Sequence, residues 1–253
     1  MMEDGLQYTI VKPDEAIASF VDSFWCLRNE SGVIKETIGL PDGRVDLFLF
    51  KSSVDNFRIV LLGLGTMPHE EATIPIDGQL FCISFKLLGA EYLLKESIAG
   101  IINTGKFLAT DFWGFCEFDL VDFKLFVVKS IQIIKSLLPS MIDERKRKLF
   151  ELIYQRKGAI SVAELSEQIF WNSRQINRYF NQQFGLSLKS YCNILRFRSS
   201  LDHIAKGKLF PEEHFFDQTH FIKEIKKFSG VVPKELLKNK NDRFILLSSL
   251  TSQ

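Results

Sequence analysis

The sequence predicts an α+β protein with a β-rich amino-terminal part and an all-helical carboxyl-terminal part, and two observations support this fold class. Short apolar runs separated by Gly, Pro and Asp fill the first ~105 residues, which is typical of an antiparallel barrel or sandwich. From about residue 120 the apolar residues recur at helical spacing instead. With 253 residues, 46% of them apolar and 25% charged, the chain is long enough for two packed domains.

Electric charge divides the chain at about the same place. The net charge is +1, but residues 1–142 carry an excess of seven acidic side chains and residues 143–253 an excess of eight basic ones. Such asymmetry suggests that one part meets a polyanion, and uneven solvated surfaces are the alternative explanation. We therefore expect a β-rich domain over 1–105, serving in sensing or dimerisation, a helical connector over 106–142 and a helical domain over 143–253.

In the β-rich part, turns at Pro41-Asp42-Gly43 and Asp77-Gly78 separate short apolar strands. The predicted strands are 23–28, 45–50, 58–62, 73–76 and 80–85. Two short helices are also expected in this part of the chain. One covers 13–21, where Pro13 suits a first helical turn, and the other covers 89–95.

The connector is predicted to contain a helix over 120–138 that ends before Pro139. Its apolar face consists of Val127, Ile131, Ile134 and Leu138. This helix either supports a homodimer or packs within its own chain, and the sequence leaves both alternatives open. A charged helix over 142–157 follows and stops at Gly158.

Residues 158–185 predict two short helices joined by a tight turn. Ser161 and Glu164 have the spacing of a capping box, and Asn172 and Gln175 repeat that spacing before the second helix. The buried stripe of the second helix is Ile176, Phe180 and Phe184, and Gly185 closes it. The exposed face is then Arg174, Asn177, Arg178 and Asn181.

That exposed face has the chemistry of a helix that reads DNA. The major groove of B-DNA admits one helix, Arg donates two hydrogen bonds to guanine, and Asn pairs with adenine. Two helices joined by a tight turn, the second presenting Arg and Asn, are what a helix-turn-helix requires. A two-helix hairpin with a solvated polar face is the structural alternative.

More helices are predicted beyond this pair. Ser187 begins a long helix that ends at Lys206-Gly207. Asp217 is a cap for a further helix with the apolar stripe Phe221, Ile225 and Phe228. Gly230 ends that helix, and Pro233 begins another.

Two motifs in residues 145–240 resemble the DNA-binding domain of the AraC/XylS family of bacterial transcription regulators. The run N-S-R-Q-I-N-R-Y-F at 172–180, followed by Gly185, is similar to the family pattern S-x-R-x-L-x-R-x-F at its first reading helix. The run from Phe215 to Pro233 is similar to G-F-x-D-Q-S-H-F-x-R-x-F-K-x-x-x-G-x-x-P. The positions identical to the second pattern are Asp217, Gln218, His220, Phe221, Lys226, Gly230 and Pro233.

The resemblance implies tandem helix-turn-helix motifs whose reading helices enter successive segments of the major groove, so that 143–253 is a DNA-binding domain. By position, Arg174, Asn177 and Arg178 contact bases from the first helix. Gln218, Thr219 and Lys223 do so from the second, where His220 contacts a base or the backbone. Lys, Ser and helix amino termini nearby contact phosphates.

The sequence departs from the family pattern mainly before the second reading helix. Residues 208–214, with Pro211 among them, replace the full helix that the family has there, so the second helix-turn-helix is shortened. In addition, Lys223 stands in place of Arg, Ile225 in place of Phe and His214 in place of Gly. The acidic part resembles barrel-type regulatory domains of unassigned ligand, at Pro41-Asp42-Gly43 leading into Val45-Asp46-Leu47 and in the strand 81–86.

Enzyme chemistry and cofactors are not expected. His69 is the only histidine in residues 1–142, beside Glu70 and Glu71, and is interpreted as a surface-loop residue, since a cupin-type metal site needs several His. No nucleophile-elbow motif occurs, and Gly63-x-Gly65 lacks the third glycine of a phosphate-binding loop. The four cysteines are scattered and are expected to be reduced thiols.

The sequence thus predicts a sequence-specific, double-stranded-DNA-binding transcription regulator of the cytoplasm, without a secretory signal or membrane span. A small-molecule effector and a homodimer are further candidate partners. Aromatic residues on strands are candidates for an apolar effector pocket, although barrel core is the commoner role: Trp25, Phe48, Phe50, Phe81 and Phe85. The alternative function is a ligand- or protein-binding module whose degenerate helix-turn-helix no longer reads DNA.

Overall fold

The computed structural model describes residues 5–210, 215, 217–239, 243 and 244, except for the side chains of 69–72. The predicted α+β class is confirmed, with strands in the amino-terminal half (1–142) and most helices in the carboxyl-terminal half (143–253). The strands are β1 (Leu6–Val11), β2 (Val21–Asn29), β3 (Lys35–Gly39), β4 (Val45–Lys51), β5 (Arg58–Leu62), β6 (His69–Ile74), β7 (Gln79–Phe85) and β8 (Gly105–Leu108).

The strands form two antiparallel sheets. A six-stranded sheet has the order β1-β2-β7-β4-β5-β8, and β3 pairs with β6 in a two-stranded sheet. Phe81 of β7, which is fully buried, packs edge-on against Phe123 of the connector helix at 5.3 Å between ring centroids. On the opposite sheet face, Trp25 of β2 meets Phe48 of β4 at 5.1 Å, and both rings are partly exposed.

Among the described residues the helices are α1 (Leu87–Leu94), α2 (Phe123–Leu137), α3 (Glu144–Gln155), α4 (Val162–Ile169), α5 (Ser173–Phe184), α6 (Leu188–Ala205), α7 (Gln218–Ser229) and α8 (Pro233–Lys238). Short 3-10 turns precede α2 at Phe112–Gly114 and Glu117–Leu120. In α2, Val127 and Ile134 are buried as predicted, together with Phe123 and Phe126. The amphipathic pattern therefore sets the orientation of α2 on the sheet.

The short helix predicted at 13–21 is wrong. Residues 15–20 form hydrogen-bonded turns, in which the Ile17 carbonyl accepts from the Phe20 and Val21 amides. Only nine residues separate Val11 at the end of β1 from Val21 at the start of β2, so the chain must reverse before a helix can propagate. The helix expected at 89–95 is present as α1.

Three strands, β1, β3 and β8, were not predicted from the sequence. The last of these pairs with β5 and straddles position 105, so the sheet continues into the segment predicted as a helical connector. His69, which was predicted to lie in a surface loop, is the first residue of β6. Short edge strands with alternating polar residues give weak sequence signals because half of their side chains face solvent.

The two halves meet where the turn Pro41-Asp42-Gly43 presses against α6. Gly43 has a positive φ of 76°, and the Tyr191 hydroxyl donates to its carbonyl at 3.0 Å in a buried hydrogen bond. The Tyr154 hydroxyl on α3 lies 3.0 Å from that of Tyr191 and accepts from the Leu87 amide at 3.1 Å. This chain of hydrogen bonds connects α1, α3, α6 and the turn. We call this region the junction.

Charged side chains surround the turn on its β side. Arg44 donates to Asp22 of β2 at 2.8 Å and lies over the Tyr154 ring, 5.2 Å from its centroid. Arg198 of α6 approaches the other oxygen of Asp22 at 3.5 Å. Although burial opposes ionisation, these cations hold the pKa of Asp22 well below its usual range.

The end of the described chain also returns to the amino-terminal half. The Arg243 carbonyl accepts a hydrogen bond from the Ile38 amide of β3 at 2.6 Å. Phe244 is fully buried, and its amide donates to the Asn239 side chain at 2.9 Å. Arg243 is thereby attached to β3 of the small sheet.

Gly43→Ala is expected to destabilise the protein more than Gly32→Ala. Both glycines have a positive φ, but an added Cβ at Gly43 would lie 2.9 Å from Leu195 Cδ2, whereas Gly32 has open space around it. Both substitutions place alanine at a positive φ, so the backbone strain is similar in the two variants. The difference of about 1–3 kcal/mol in unfolding free energy then measures the overpacking of the added Cβ at the junction. Equal urea midpoints for the two variants would contradict this account of the turn.

Candidate nucleic-acid interface

Helix α4 begins with the capping box predicted from the sequence. The Ser161 hydroxyl accepts from the Glu164 amide at 3.1 Å, and the Glu164 carboxylate accepts from the Ser161 amide at 2.7 Å. These hydrogen bonds lower the pKa of Glu164 because they favour its charged form. Leu165 and Ile169 are buried and hold the helix against its neighbours.

Helix α5 follows after a tight turn in which Phe170 adopts left-handed geometry with a φ of 56°. The Asn172 side chain accepts from the Gln175 amide at 2.9 Å, and the Gln175 side chain accepts from the Asn172 amide at the same distance. Gly185 ends the helix with a φ of 75°. The buried stripe is the one predicted: Ile176, Phe180 and Phe184. Capping and burial therefore fix both ends and one face of α5.

The outer face of α5 presents two arginines to solvent. Arg174 and Arg178 are exposed and lie one turn apart, and no carboxylate among the described residues forms an ion pair with either. Asn181 is also exposed and lies on the same face. Asn177 is partly buried, and its amide group donates to the Ser173 carbonyl at 3.0 Å. The exposed face is therefore centred on the arginines, with Asn177 at its edge.

The amino-terminal half holds the opposite flank of α5. The Tyr179 hydroxyl donates to Glu91 of α1, and Lys146 of α3 pairs with the other oxygen of that carboxylate. Burial and the Glu91 charge raise the pKa of Tyr179. The Gln183 carbonyl accepts from the Ile98 amide at 3.0 Å. The sequence does not indicate these contacts, because Tyr179 occupies a position that the family pattern leaves unspecified.

The second predicted reading helix is α7. The Asp217 carboxylate caps it by accepting from the His220 amide at 2.7 Å, as the sequence predicted. Thr219 and Lys223 are exposed, and Gln218 is exposed while its side chain donates to the Leu209 carbonyl at 3.0 Å. The buried stripe is again the predicted one, Phe221, Ile225 and Phe228.

The segment between α6 and α7 is short. Among its described residues, 206–210, 215 and 217, none is helical, and the interval from Pro211 to His214 lies outside the described part of the chain. Phe215 packs edge-on against Phe221 with ring centroids 5.1 Å apart.

The aromatic residues proposed for an effector pocket divide between the two faces of the large sheet. Phe81 and Phe85 are fully buried and belong to the core, whereas Trp25, Phe48 and Phe50 are partly exposed on the other face. The four cysteines are free thiols. Within the described residues, no group of three or more His, Cys, Asp or Glu side chains could hold a metal ion. No helix in this part of the chain is long and apolar enough to cross a membrane.

The fold is α+β, with a helix-turn-helix formed by α4 and α5. No protein-family model matches the chain, and no match was found among curated proteins. Crystal structures of ToxT from Vibrio cholerae are similar along nearly their whole length. One, from strain O395, is 12% identical over 93% of this chain and 98% of its own, with a TM-score of 0.47. A second is 11% identical over 92% and 98%, with a TM-score of 0.43.

Asn172→Ala is expected to lower the free energy of unfolding by about 1 kcal/mol. The substitution removes the side chain that caps the Gln175 amide and leaves an early amide of α5 without its partner. Asn181→Ala is the control, because Asn181 lies inside the helix and is exposed. Chemical denaturation measures both variants, and an unchanged midpoint for Asn172→Ala would show that the cap contributes nothing.

Proposed function

We propose that the protein is a sequence-specific DNA-binding transcription regulator whose main reading helix is α5. The observation that carries this proposal is the pair Arg174 and Arg178 on a helix fixed at both ends, exposed and unpaired with any described carboxylate. An ordinary solvated helix gains from carboxylates placed three or four residues away, and α5 contains no acidic residue. The similarity of 172–180 and 215–233 to AraC/XylS motifs supports the same function.

The proposed roles follow from side-chain chemistry. Arg174 and Arg178 donate to guanine in the major groove, and Asn177 reads adenine after exchanging its hydrogen bond to the Ser173 carbonyl for one to the base. Gln218, Thr219 and Lys223 of α7 contribute less, because the Gln218 amide is already bonded to the Leu209 carbonyl. The excess of basic residues in 143–253 supplies phosphate contacts.

We also propose that residues 1–105 respond to a small-molecule effector, and that 106–142 connects them to the DNA-binding domain. The partly exposed rings of Trp25, Phe48 and Phe50 are an apolar surface that an effector would cover. The alternative, a module whose degenerate helix-turn-helix binds no DNA, predicts no salt-dependent retention on random duplex DNA or heparin. A DNA-binding regulator predicts such retention.

The connector supports a homodimer through an apolar stripe. Phe118, Val121, Leu125 and Val128 are between 52% and 76% exposed and follow one face of the 3-10 turn and α2. Their spacing of three, four and three residues is the same in either chain direction. A second copy lying antiparallel would therefore place Phe118 against Val128 and Val121 against Leu125. Contiguous exposed apolar side chains of this kind mark interaction sites.

Arg178→Ala is expected to weaken binding to a selected DNA site by about 1–3 kcal/mol and to relax preference at one base pair. Gln218→Ala and Lys223→Ala are expected to cost less. The site is obtained by selection from random duplex DNA, and binding curves are compared with a scrambled duplex.

Lys51→Ala provides the matched control for that series, because it removes one exposed cation from β4 in the other half of the chain. It should leave the preference for the selected site unchanged. If Arg174→Ala and Arg178→Ala are both folded and both bind the selected site as tightly as the wild type, then α5 is not the reading helix.

Leu125→Glu is expected to convert a dimer into a monomer, because it places a charge at the middle of the apolar stripe. Lys124→Glu is the matched control on the same helix, since Lys124 is exposed and lies about 100° away from Leu125 around the helix axis. Light scattering after size-exclusion chromatography gives the masses. A wild-type monomer at every concentration, or a Leu125→Glu dimer, would refute this interface.

A further inference from the structure

Three carboxylates of the amino-terminal half gather at the junction. Asp22 lies at the start of β2, Asp42 lies in the turn and Asp46 lies on β4. Other titratable or charged side chains face this group from every element packed against it. They are Arg44 before β4, Cys82 of β7, Lys86 before α1, Tyr154 of α3, Tyr191 and Arg198 of α6, and Lys12 after β1.

One of the carboxylates, that of Asp42, forms part of the turn that contacts α6, and that of Asp46 lies on the strand that follows. The Asp42 carboxylate accepts from the Arg44 amide at 2.9 Å and so closes the turn whose Gly43 carbonyl receives the Tyr191 hydrogen bond. The Asp46 carboxylate lies 2.5 Å from the Ser84 hydroxyl of β7. Asp46 has no ion pair within the described residues, whereas Asp22 contacts Arg44 and Arg198.

We propose that the junction is a proton-sensitive latch, in which the protonated Asp46 carboxyl favours docking of the turn on α6 and its ionisation loosens that docking. With Asp46 neutral, the negative charges of Asp22 and Asp42 face the cations of Arg44, Arg198 and Lys12. Ionisation of Asp46 adds a third negative charge beside Asp42, at a carboxylate that forms no ion pair of its own among the described residues. The repulsion acts on Asp42 and therefore on the turn that holds Tyr191.

The proposed titration of Asp46 lies near neutral pH. Burial and the Asp42 charge raise the pKa of Asp46 to about 7, although the Ser84 hydrogen bond opposes that rise. If docking contributes to this rise, docking is favoured at low pH, where Asp46 is protonated, and weakens as the pH rises from the undocked pKa through the docked pKa. If undocking lowers the pKa of Asp46 by one unit, the docking equilibrium weakens about tenfold across the titration.

Two backbone amides measure, in the absence of DNA, how firmly the two halves are docked. The Leu87 amide donates to the Tyr154 hydroxyl, and the Ile98 amide donates to the Gln183 carbonyl, so both acceptors belong to the carboxyl-terminal half. Hydrogen exchange of the full-length protein between pH 5 and 8, corrected for the intrinsic pH dependence, measures how often these bonds open. We expect protection at both amides to fall about tenfold toward pH 8.

Asp46→Asn is the decisive variant, because an amide keeps the acceptor for Ser84 and cannot ionise. Protection at Leu87 and Ile98 should then be independent of pH. Asp111→Asn, at an exposed site in the same half, should behave as the wild type. Ser84→Ala is a second variant that leaves Asp46 in place. Removing the hydroxyl raises the pKa of Asp46 further, so the transition should move to higher pH.

The proposal is overturned if wild-type protection is flat over this range, if Asp46→Asn keeps the wild-type pH dependence, or if Ser84→Ala leaves the transition in place. These measurements use no DNA, so their outcome is independent of whether α5 reads a base sequence.

A parallel measurement of DNA affinity at pH 5 and pH 8 shows whether loosening of the junction changes DNA binding. Asp46→Asn is expected to abolish any pH dependence of affinity seen in the wild type.

Discussion

The hydrogen bond from the Tyr191 hydroxyl to the Gly43 carbonyl determines how the two halves of the molecule are related. Helix α6 packs against α5 on one side and against α7 and α8 on the other, so an element that fixes α6 positions both candidate reading helices. Gly43 can approach α6 because it has no Cβ, and its left-handed conformation directs the carbonyl toward Tyr191. The amino-terminal half therefore contacts the centre of the helical half directly.

Local signals in the sequence predicted the local structure well. The caps at Ser161, Asn172 and Asp217 were predicted because the acceptor and the amide lie within three residues of each other. The buried stripes of α5 and α7 followed from helical periodicity. The error at 13–21 has the opposite cause, since Pro13 suited a helix start while the pairing of β1 with β2, visible only in three dimensions, required a reversal.

The exposed residues of the candidate site were predictable from the sequence, but the buried contacts that hold its helices in place were not. Spacing alone put Arg174 and Arg178 on the solvent side, but it assigned Asn177 to the same face, and the structure places that side chain at the edge with its amide bonded to Ser173. The contact of Tyr179 with Glu91 joins residues 88 positions apart, and the bond of Tyr191 to Gly43 joins residues 148 positions apart. No sequence period encodes such pairs, because they depend on how the halves dock.

The attachment of Arg243 to β3 has a consequence for the order in which the molecule is made. Ile38 is synthesised 205 residues before Arg243, so its amide finds the Arg243 carbonyl only after every helix described between them has been made. The large sheet, by contrast, has all of its strands by residue 108. The strands of both sheets are therefore made by residue 108, and the hydrogen bond from Ile38 to Arg243 is added to the small sheet only later.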